Sequence, residues 1–328
     1  MAGMAPLSLR RTRQGQLLRE LTREVRPHHE QFIQPLFVVD GIGSRQPVTG
    51  LHDVYRDTPS TMIEQIEADL RAGINKFLLF GVPAEKRPTA FEHDFTARQI
   101  TAIKDRFGDD VFLAVDVCLC SHTTHGHCGI LNASGDQVVN DATVESLTAA
   151  ALRYAEAGAD CVAPSDMMDG RIGAIRRSLT EAGRDRTVIM SYAAKFHSSF
   201  YGPFRIAADS APATGNPLRD RATYQIDPAR PRDALLSARR DDTEGADILM
   251  VKPGLPYLDV LARLSREIVK PWAVYQTSGE QAAIDLLSDR DLMRRDAAQL
   301  ETWIAFRRAG ASIIISYAAR RAREVLSQ

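Results

Sequence analysis

Short apolar runs alternate with amphipathic stretches along most of the chain. Eight runs have the length and composition of buried strands: 35–40, 76–82, 111–120, 161–165, 187–195, 248–252, 272–276 and 312–317. Between them, apolar residues recur at helical spacing in segments 60–72, 144–157, 171–182, 257–269, 300–309 and 319–326. Strands that alternate with helices in this way predict repeated βα units and a parallel sheet.

Four of the predicted helices end in the same dipeptide just before the next apolar run: Ala72-Gly73, Ala157-Gly158, Ala182-Gly183 and Ala309-Gly310. Glycine readily adopts the left-handed conformation that ends a helix. Eight βα units predict a closed TIM barrel. An open doubly wound sheet is less favoured, because no Gly-x-Gly-x-x-Gly turn follows the first strand. We expect residues 1–34 to form an extended or helical arm and residues 35–328 the (β/α)8 barrel.

The composition is that of an ordinary enzyme. The chain is 44% hydrophobic and 25% charged with a formal net charge of −1, which gives no electrostatic reason to expect nucleic acid as a partner. Its start lacks the apolar region of a signal peptide, and no stretch approaches the roughly 18 uninterrupted apolar residues of a membrane span. We therefore expect a cytoplasmic protein that acts on small molecules without a membrane.

Three cysteines cluster at the end of the third predicted strand. Cys118, Cys120 and Cys128 form a Cys-x-Cys-x7-Cys pattern, and Asp116 precedes them by two residues. Residues two apart on a strand point the same way, so we expect Asp116, Cys118 and Cys120 to share a face, with Cys128 returned to them by a loop. Three thiolates suit Zn²⁺, and a fourth position left to water or substrate is typical of a catalytic ion.

Two alternatives to an open zinc site remain from the spacing alone. The cysteines could be buried, inert side chains, or a closed structural site completed by His125 or His127. The fourth cysteine, Cys161, stands alone in an apolar strand and is expected only to pack there.

Two lysines end consecutive predicted strands. Lys195 closes the fifth strand, and Lys252 closes the sixth just before Pro253-Gly254. Burial at the end of an apolar strand and a second amine nearby both lower the pKa of a lysine. The free amine attacks carbonyl carbons to form Schiff bases, so the pair predicts carbonyl condensation or aldol chemistry at the C-terminal end of the barrel. The alternative is a pair of salt-bridged lysines at the barrel rim.

Four segments of the chain, taken together, resemble the porphobilinogen synthase family: 116–129, 191–196, 200–205 and 250–254. The resemblance extends from about residue 10 to the C-terminus. It implies a TIM-barrel hydro-lyase of tetrapyrrole (heme) biosynthesis that condenses two molecules of 5-aminolevulinate to porphobilinogen with loss of two waters. It also implies a homo-oligomer, expected to be an octamer, with the N-terminal arm in subunit contacts.

The resemblance assigns roles to individual residues. Lys252 would form a Schiff base with the first-bound substrate in the P site and Lys195 with the second in the A site, while Zn²⁺ on the three cysteines serves the A-site half. The remaining expected site residues are Arg205, Arg221 and Gln225 at the A-site carboxylate, Ser278 and Tyr317 at the P-site carboxylate, and Asp116 near the zinc. Without the resemblance, Ser278 reads as a turn residue, Tyr317 as a strand-end aromatic and Arg221 as a loop charge.

Two positions depart from the family pattern. Residues 216–219 lengthen the active-site lid expected between Arg205 and Arg221. Ser237 stands where family members activated by an allosteric magnesium ion carry a glutamate, so we expect no activation by magnesium. The five arginines of the arm, Arg10, Arg11, Arg13, Arg19 and Arg23, also fit a solvated helix face.

Two rival functions follow from the same residues. A class I aldolase would also use a barrel lysine, but it needs one essential lysine and no metal. A catalytically silent paralogue, retained as a binding or regulatory subunit, would share the fold without turnover.

Overall fold

The computed structural model describes residues 9–327, and ten strands lie within this range. They are β1 (Phe32–Val39), β2 (Gln46–Pro47), β3 (Tyr55–Asp57), β4 (Lys76–Val82), β5 (Phe112–Val117), β6 (Cys161–Pro164), β7 (Val188–Lys195), β8 (Ile248–Lys252), β9 (Trp272–Tyr275) and β10 (Ile313–Ile315). Strands β1 and β4 to β10 are parallel neighbours, and β10 pairs with β1 to close the ring. The predicted TIM barrel is therefore confirmed.

Helices connect the barrel strands on the outside. Their bounds are α1 (Gln16–Leu21), α2 (Pro59–Arg71), α3 (Asp94–Phe107), α4 (Asn140–Glu156), α5 (Arg171–Glu181), α6 (Gly202–Ala207), α7 (Pro231–Thr243), α8 (Leu258–Glu267), α9 (Ser278–Asp289), α10 (Arg295–Arg308) and α11 (Ala322–Leu326). The glycines predicted to end α2, α4, α5 and α10 all have positive φ angles, between 67° and 107°. These four helix ends therefore have the left-handed cap that the dipeptides predicted.

The barrel has two apolar cores, one on each face of its sheet. On β1, Leu36 and Val38 pack outward against the helices, whereas Ile33 and Phe37 point into the barrel. This alternation follows from the two-residue period of a strand. The inner core also contains aromatic side chains near the C-terminal ends of β7, β9 and β10, and these form the floor of the site described below.

The strand that leads to the cysteines is shorter than predicted. Strand β5 ends at Val117, so Cys118 and Cys120 lie in the following loop and not on a strand face shared with Asp116. The last residue pair in its ladder with β6 joins Val117 to Pro164, and the amide of Ser165 donates the final bond to the carbonyl of Val117. Beyond Val117 the backbone forms turns instead of a strand, in which the amides of His122 and Thr123 both donate to the carbonyl of Leu119.

At the other end of the barrel, β1 begins at Phe32, three residues before the predicted start. The chain before it carries a short 3-10 helix at Arg11–Arg13 and helix α1, neither of which buries a residue. Residues 1–8 of the expected arm lie outside the described part of the chain. Within residues 9–327, no helix is long and apolar enough to cross a membrane.

Candidate active site

The two lysines lie side by side at the C-terminal end of the barrel. Lys195 and Lys252 are paired residues of the adjacent strands β7 and β8, and only 5% and 3% of their surfaces are exposed. The amine of Lys195 donates a hydrogen bond to the carbonyl of Ser165, just beyond the end of β6. This burial does not fit the alternative of a pair of salt-bridged lysines at the barrel rim.

Aromatic rings surround the amine of Lys252. Its Nζ lies 3.8 Å from the ring centre of Tyr275, 4.8 Å from Phe204, 5.2 Å from Tyr192 and 5.5 Å from Tyr201. Ring faces attract a cation while they exclude water from it. The sequence interpretation missed these four residues. For Tyr275 the sequence did contain a signal, because this residue lies near the end of predicted strand 272–276, which follows the strand that Lys252 ends. In the structure, β8 and β9 pair Val251 with Val274, so the next residues, Lys252 and Tyr275, are neighbours.

Burial and charge bring the pKa of Lys252 close to neutrality. Loss of solvent and, to a smaller extent, the charge of Lys195 lower it against the opposing effect of Asp116, and the result is a pKa of about 7. For Asp116 itself, burial raises the pKa to about 6, against the effect of the two lysines. Its Oδ1 is buried without a hydrogen-bond partner among the described residues. The site therefore places a free amine beside a carboxyl group that exchanges its proton near neutral pH.

The three clustered cysteines come together although their loop differs from the prediction. The Sγ atoms of Cys118, Cys120 and Cys128 all lie within 4.8 Å of one another, and all three residues are buried. A tetrahedral zinc ion with Zn–S bonds of about 2.3 Å separates its sulfur ligands by about 3.8 Å. The cluster is compatible with that spacing, and its donor set is one that soft or borderline metals prefer.

The surroundings of the cluster favour a thiolate. Hydrogen bonds from the thiols of Cys118 and Cys120 lower the pKa of Cys128 well below its usual value, and the buried guanidinium of Arg221 acts in the same direction. The same coupling raises the pKa of Cys118. Cys161 is not part of the cluster and is buried in the inner core, where burial raises the pKa of its thiol.

Neither histidine of the loop completes the cluster. Among the described residues, the group of ligand atoms around the cysteines contains no histidine. Both ring nitrogens of His127 have other partners, because Nε2 lies 2.9 Å from the carbonyl of Leu218 and Nδ1 lies 3.1 Å from the hydroxyl of Tyr224. Nδ1 of His125 accepts a hydrogen bond from the amide of His127. The geometry therefore fits a three-thiol site better than a closed one.

Two arginines and an amide lie beside the cysteines. Arg221 is buried, and its Nη2 donates to the carbonyls of Gly126 at 2.9 Å and Ser210 at 2.6 Å. Burial and the adjacent Arg221 both lower the pKa of Arg205. The Nε atoms of both arginines and both amide atoms of Gln225 are buried without partners among the described residues. Two close guanidiniums and an unpaired amide make this side of the site suitable for a carboxylate.

Two hydroxyl groups lie beside the aromatic residues that surround Lys252. Ser278 is the first residue of α9, and its Oγ accepts a hydrogen bond from the amide of Phe204 at 2.9 Å. The Tyr317 hydroxyl accepts one from Tyr275 at 3.2 Å. Ser278 is therefore helical rather than a turn residue, and a helix N-terminus of this kind favours a negatively charged ligand.

Fold and site together define a class of protein, a (β/α)8 barrel with two buried, paired lysines beside a cluster of three cysteines that could hold a metal ion. Comparison with known proteins then identifies the family. Residues 7–325 match the family described as delta-aminolevulinic acid dehydratase, and the chain belongs to this family.

Relatives match over nearly the whole chain. The delta-aminolevulinic acid dehydratase of Helicobacter pylori (strain J99 / ATCC 700824) is 42% identical over 326 residues, which cover 98% of each chain. That of Bacillus subtilis (strain 168) is 38% identical, covering 97% of this chain and 98% of the relative. The Toxoplasma gondii ME49 enzyme, solved in complex with the reaction product porphobilinogen, superimposes with a TM-score of 0.93 at 38% identity, covering 98% of this chain and 92% of that one.

Proposed function

We propose that this protein is a porphobilinogen synthase, a lyase of tetrapyrrole (heme) biosynthesis that condenses two molecules of 5-aminolevulinate. Family membership supports the proposal, as does the likeness to the Toxoplasma gondii enzyme, whose structure contains porphobilinogen. The observation that carries it is the in-register pair of buried lysines, Lys195 and Lys252. Two adjacent amines provide two covalent attachment points, one for each substrate molecule.

In the proposed mechanism, the first substrate binds covalently to Lys252. The neutral amine attacks the keto carbon, and loss of one water gives a carbon–nitrogen double bond. The rings of Tyr275 and Phe204 stabilise the positive charge of the protonated Schiff base. The hydroxyls of Ser278 and Tyr317 donate hydrogen bonds to the carboxylate of this substrate.

The second substrate forms its Schiff base with Lys195. Arg205 and Arg221 bind its carboxylate as charged hydrogen-bond donors, and the unpaired amide of Gln225 adds a further contact. Asp116, whose pKa burial raises to about 6, transfers protons between the reacting groups. One carbon–carbon and one carbon–nitrogen bond then join the two substrates, the lysines are released, and both keto oxygens have left as water.

The proposal includes Zn²⁺ held by Cys118, Cys120 and Cys128, whose buried thiols have the donor chemistry that zinc prefers. When bound, zinc supplies a Lewis acid for the half of the reaction that takes place at Lys195. Neighbouring residues have other roles. Arg221 binds an anionic group of the substrate, and His127 holds the conformation of the cysteine loop.

We also infer a homo-oligomer, with an octamer as the expected assembly, in the cytoplasm. Leu17 and Leu21 of α1 are 81% and 77% exposed, so the apolar side of this helix has no partner within one described chain and is available to another subunit. The four cysteines are all free thiols, as in proteins of reducing compartments.

The test is a colorimetric assay for porphobilinogen after incubation of the purified protein with 5-aminolevulinate. We expect one product molecule for every two substrate molecules consumed, and loss of activity after zinc is removed by a chelator. No product from folded, zinc-loaded protein would support the silent paralogue. Full activity after exhaustive chelation would reject the zinc but retain the synthase. An aldolase would need one lysine only. Its aldol activity would therefore survive in one of the two variants Lys195→Met and Lys252→Met.

A further inference from the structure

A chain of hydrogen bonds joins the lid to the cysteine cluster through one histidine. The lid comprises residues 206–220, and the cysteine loop comprises residues 118–128. His127 in the cysteine loop is fully buried. Its Nε2 contacts the carbonyl of Leu218 in the lid at 2.9 Å, and its Nδ1 contacts the hydroxyl of Tyr224 at 3.1 Å. The same hydroxyl accepts a hydrogen bond from the backbone amide of Cys128 at 3.3 Å.

The chemistry of the two ends fixes the direction of every bond in this chain. The carbonyl of Leu218 only accepts, so Nε2 of His127 carries the hydrogen, and in the neutral imidazole Nδ1 is then an acceptor. The hydroxyl of Tyr224 therefore donates to Nδ1, while its oxygen accepts from the amide of Cys128. The hydroxyl of Tyr224 and the ring of His127 thus each accept one hydrogen bond and donate the next. The complete chain forms only when the lid, His127 and Cys128 are all in place.

Other contacts hold the same two segments together but do not reach a cysteine. The amide of Ala213 donates to the carbonyl of His125 at 3.0 Å, and Ser121 donates to the carbonyl of Ala208 at 2.8 Å. Gly126 adopts a φ of +73°, and a Cβ atom there would come within 2.2 Å of the carbonyl oxygen of Ala211. The lid therefore packs directly on the cysteine loop, and among the contacts of residues 9–327 only the chain through His127 and Tyr224 ends at the backbone of a cysteine in the cluster.

From this geometry we infer that His127 is a positioning residue that couples closure of the lid to the conformation of Cys128, so that a metal ion on the cysteines stabilises the closed lid. The inference rests on the proposed zinc site and extends it. A metal ion fixes Cys128, Cys128 fixes the hydroxyl of Tyr224, and that hydroxyl fixes His127 against Leu218. Coupling of this kind is reciprocal, so an ordered lid in turn favours metal binding.

The coupling is measured by amide hydrogen exchange of peptides covering residues 206–220, in protein with and without Zn²⁺. In the parent protein we expect zinc to slow exchange in the lid. His127→Phe retains a ring but removes both hydrogen bonds, so zinc should still bind, by competition with a chromogenic chelator, while the slowing of lid exchange falls by about fivefold, the effect of one lost neutral hydrogen bond. His93→Phe is the matched control, because His93 is a half-buried histidine with no hydrogen bond to the lid among the described residues.

A second variant keeps the test decisive if His127→Phe does not fold. Tyr224→Phe removes only the hydroxyl, leaving the contact between His127 and Leu218 intact, and it should lower the zinc effect by a similar factor without loosening the zinc-free lid. Zinc that slows lid exchange equally in Tyr224→Phe and in the parent overturns the coupling. Zinc that binds the parent without changing its lid also overturns the coupling but leaves the metal site standing. No zinc binding at all rejects the site and the coupling together.

Discussion

Lys195 and Lys252 are neighbours in register on β7 and β8, and the charge of Lys195 lowers the pKa of Lys252 inside the barrel. We expect their roles to differ because their surroundings differ. The amine of Lys195 has a backbone acceptor in Ser165, whereas that of Lys252 faces aromatic rings. We therefore expect the amine of Lys252 to bind the first substrate.

The amine of Lys252 should titrate near pH 7. Burial and Lys195 both lower its pKa, so the neutral, nucleophilic form should make up most of the population at pH 8 and only about a tenth at pH 6. The measurement is the rate at which a trace of acetic anhydride acetylates Lys252 between pH 5 and pH 10, scaled to a model amine in the same solution. Reactivity should rise with a midpoint near pH 7 and level off above about pH 8.

The variant Lys195→Met isolates the contribution of charge. It removes the neighbouring cation but keeps a side chain of similar length, so the midpoint for Lys252 should move upward. A midpoint that does not move would show that burial alone sets the ionisation of Lys252.

Borohydride should trap the substrate on Lys252. Only an imine is reduced to a stable secondary amine, so 5-aminolevulinate with borohydride should add its mass to the peptide that contains Lys252. Lys252→Arg should lose the label and lower turnover by at least about a thousandfold, because a guanidinium stays protonated and does not attack a carbonyl. Label on neither barrel lysine would contradict the Schiff-base mechanism.

The barrel and the positions of its charged strand ends were predictable because both depend on local patterns. Apolar runs and helix-ending glycines fix the βα order, and a closed barrel brings the ends of β5, β7 and β8 to one rim. Lys195 and Lys252 each follow such a run directly. Their proximity therefore needed no knowledge of the loops.

The rest of the site depends on contacts between distant segments. Tyr201 and Phe204 reach Lys252 from the connection after β7, and nothing in their local sequence indicates that direction. Strand β5 was predicted too long because Val117 and Leu119 continue its apolar pattern. It ends early because the backbone turns after Val117, where the amides of His122 and Thr123 both donate to the carbonyl of Leu119. The partners of His127 likewise come from segments about 90 residues away, in contacts that no local pattern encodes.

Loss of one clustered cysteine should remove the metal. Cys118→Ala and Cys128→Ala each leave two thiols, too few for the proposed zinc site, so bound zinc should fall from about one ion per site to near zero, and most activity should go with it. Cys161→Ala is the control, because Cys161 is also buried but lies outside the cluster. Zinc retained in Cys128→Ala, measured by atomic absorption, would contradict this assignment.

Acid should weaken the metal site. Thiolates must lose their protons to bind zinc, so the apparent zinc affinity of the parent should fall as the pH is lowered from 8 to 6. Competition with a chelator whose own pH dependence is known measures this change. An affinity that is constant over this range would indicate that oxygen ligands, rather than the cysteines, hold the ion.

Magnesium should not stimulate the enzyme. The hydroxyl of Ser237 lies 3.3 Å from Nη2 of Arg240, and the same guanidinium pairs with Asp169 and Asp241. A fixed positive charge therefore occupies the neighbourhood in which a magnesium-activated relative is expected to use a glutamate, and magnesium rarely binds without an anionic oxygen. Activity and the sedimentation profile of zinc-loaded protein should be the same with and without millimolar magnesium. A saturable rise in activity would show that Asp169 or Asp241 leaves Arg240 to bind the ion.

A buried ion pair next to β7 should contribute strongly to the free energy of unfolding. Arg171 and Asp241 have fully buried side chains 3.0 Å apart, and Asp241 also accepts a hydrogen bond from Ser191 on β7 at 2.5 Å. Asp241→Ala leaves the guanidinium of Arg171 without its main counter-charge, which typically costs about 3–5 kcal/mol of unfolding free energy. The double variant Arg171→Met with Asp241→Leu removes both charges and should recover much of that loss. Urea denaturation followed by circular dichroism measures each variant. If the single and double variants are equally destabilised, packing rather than the unpaired charge explains the cost.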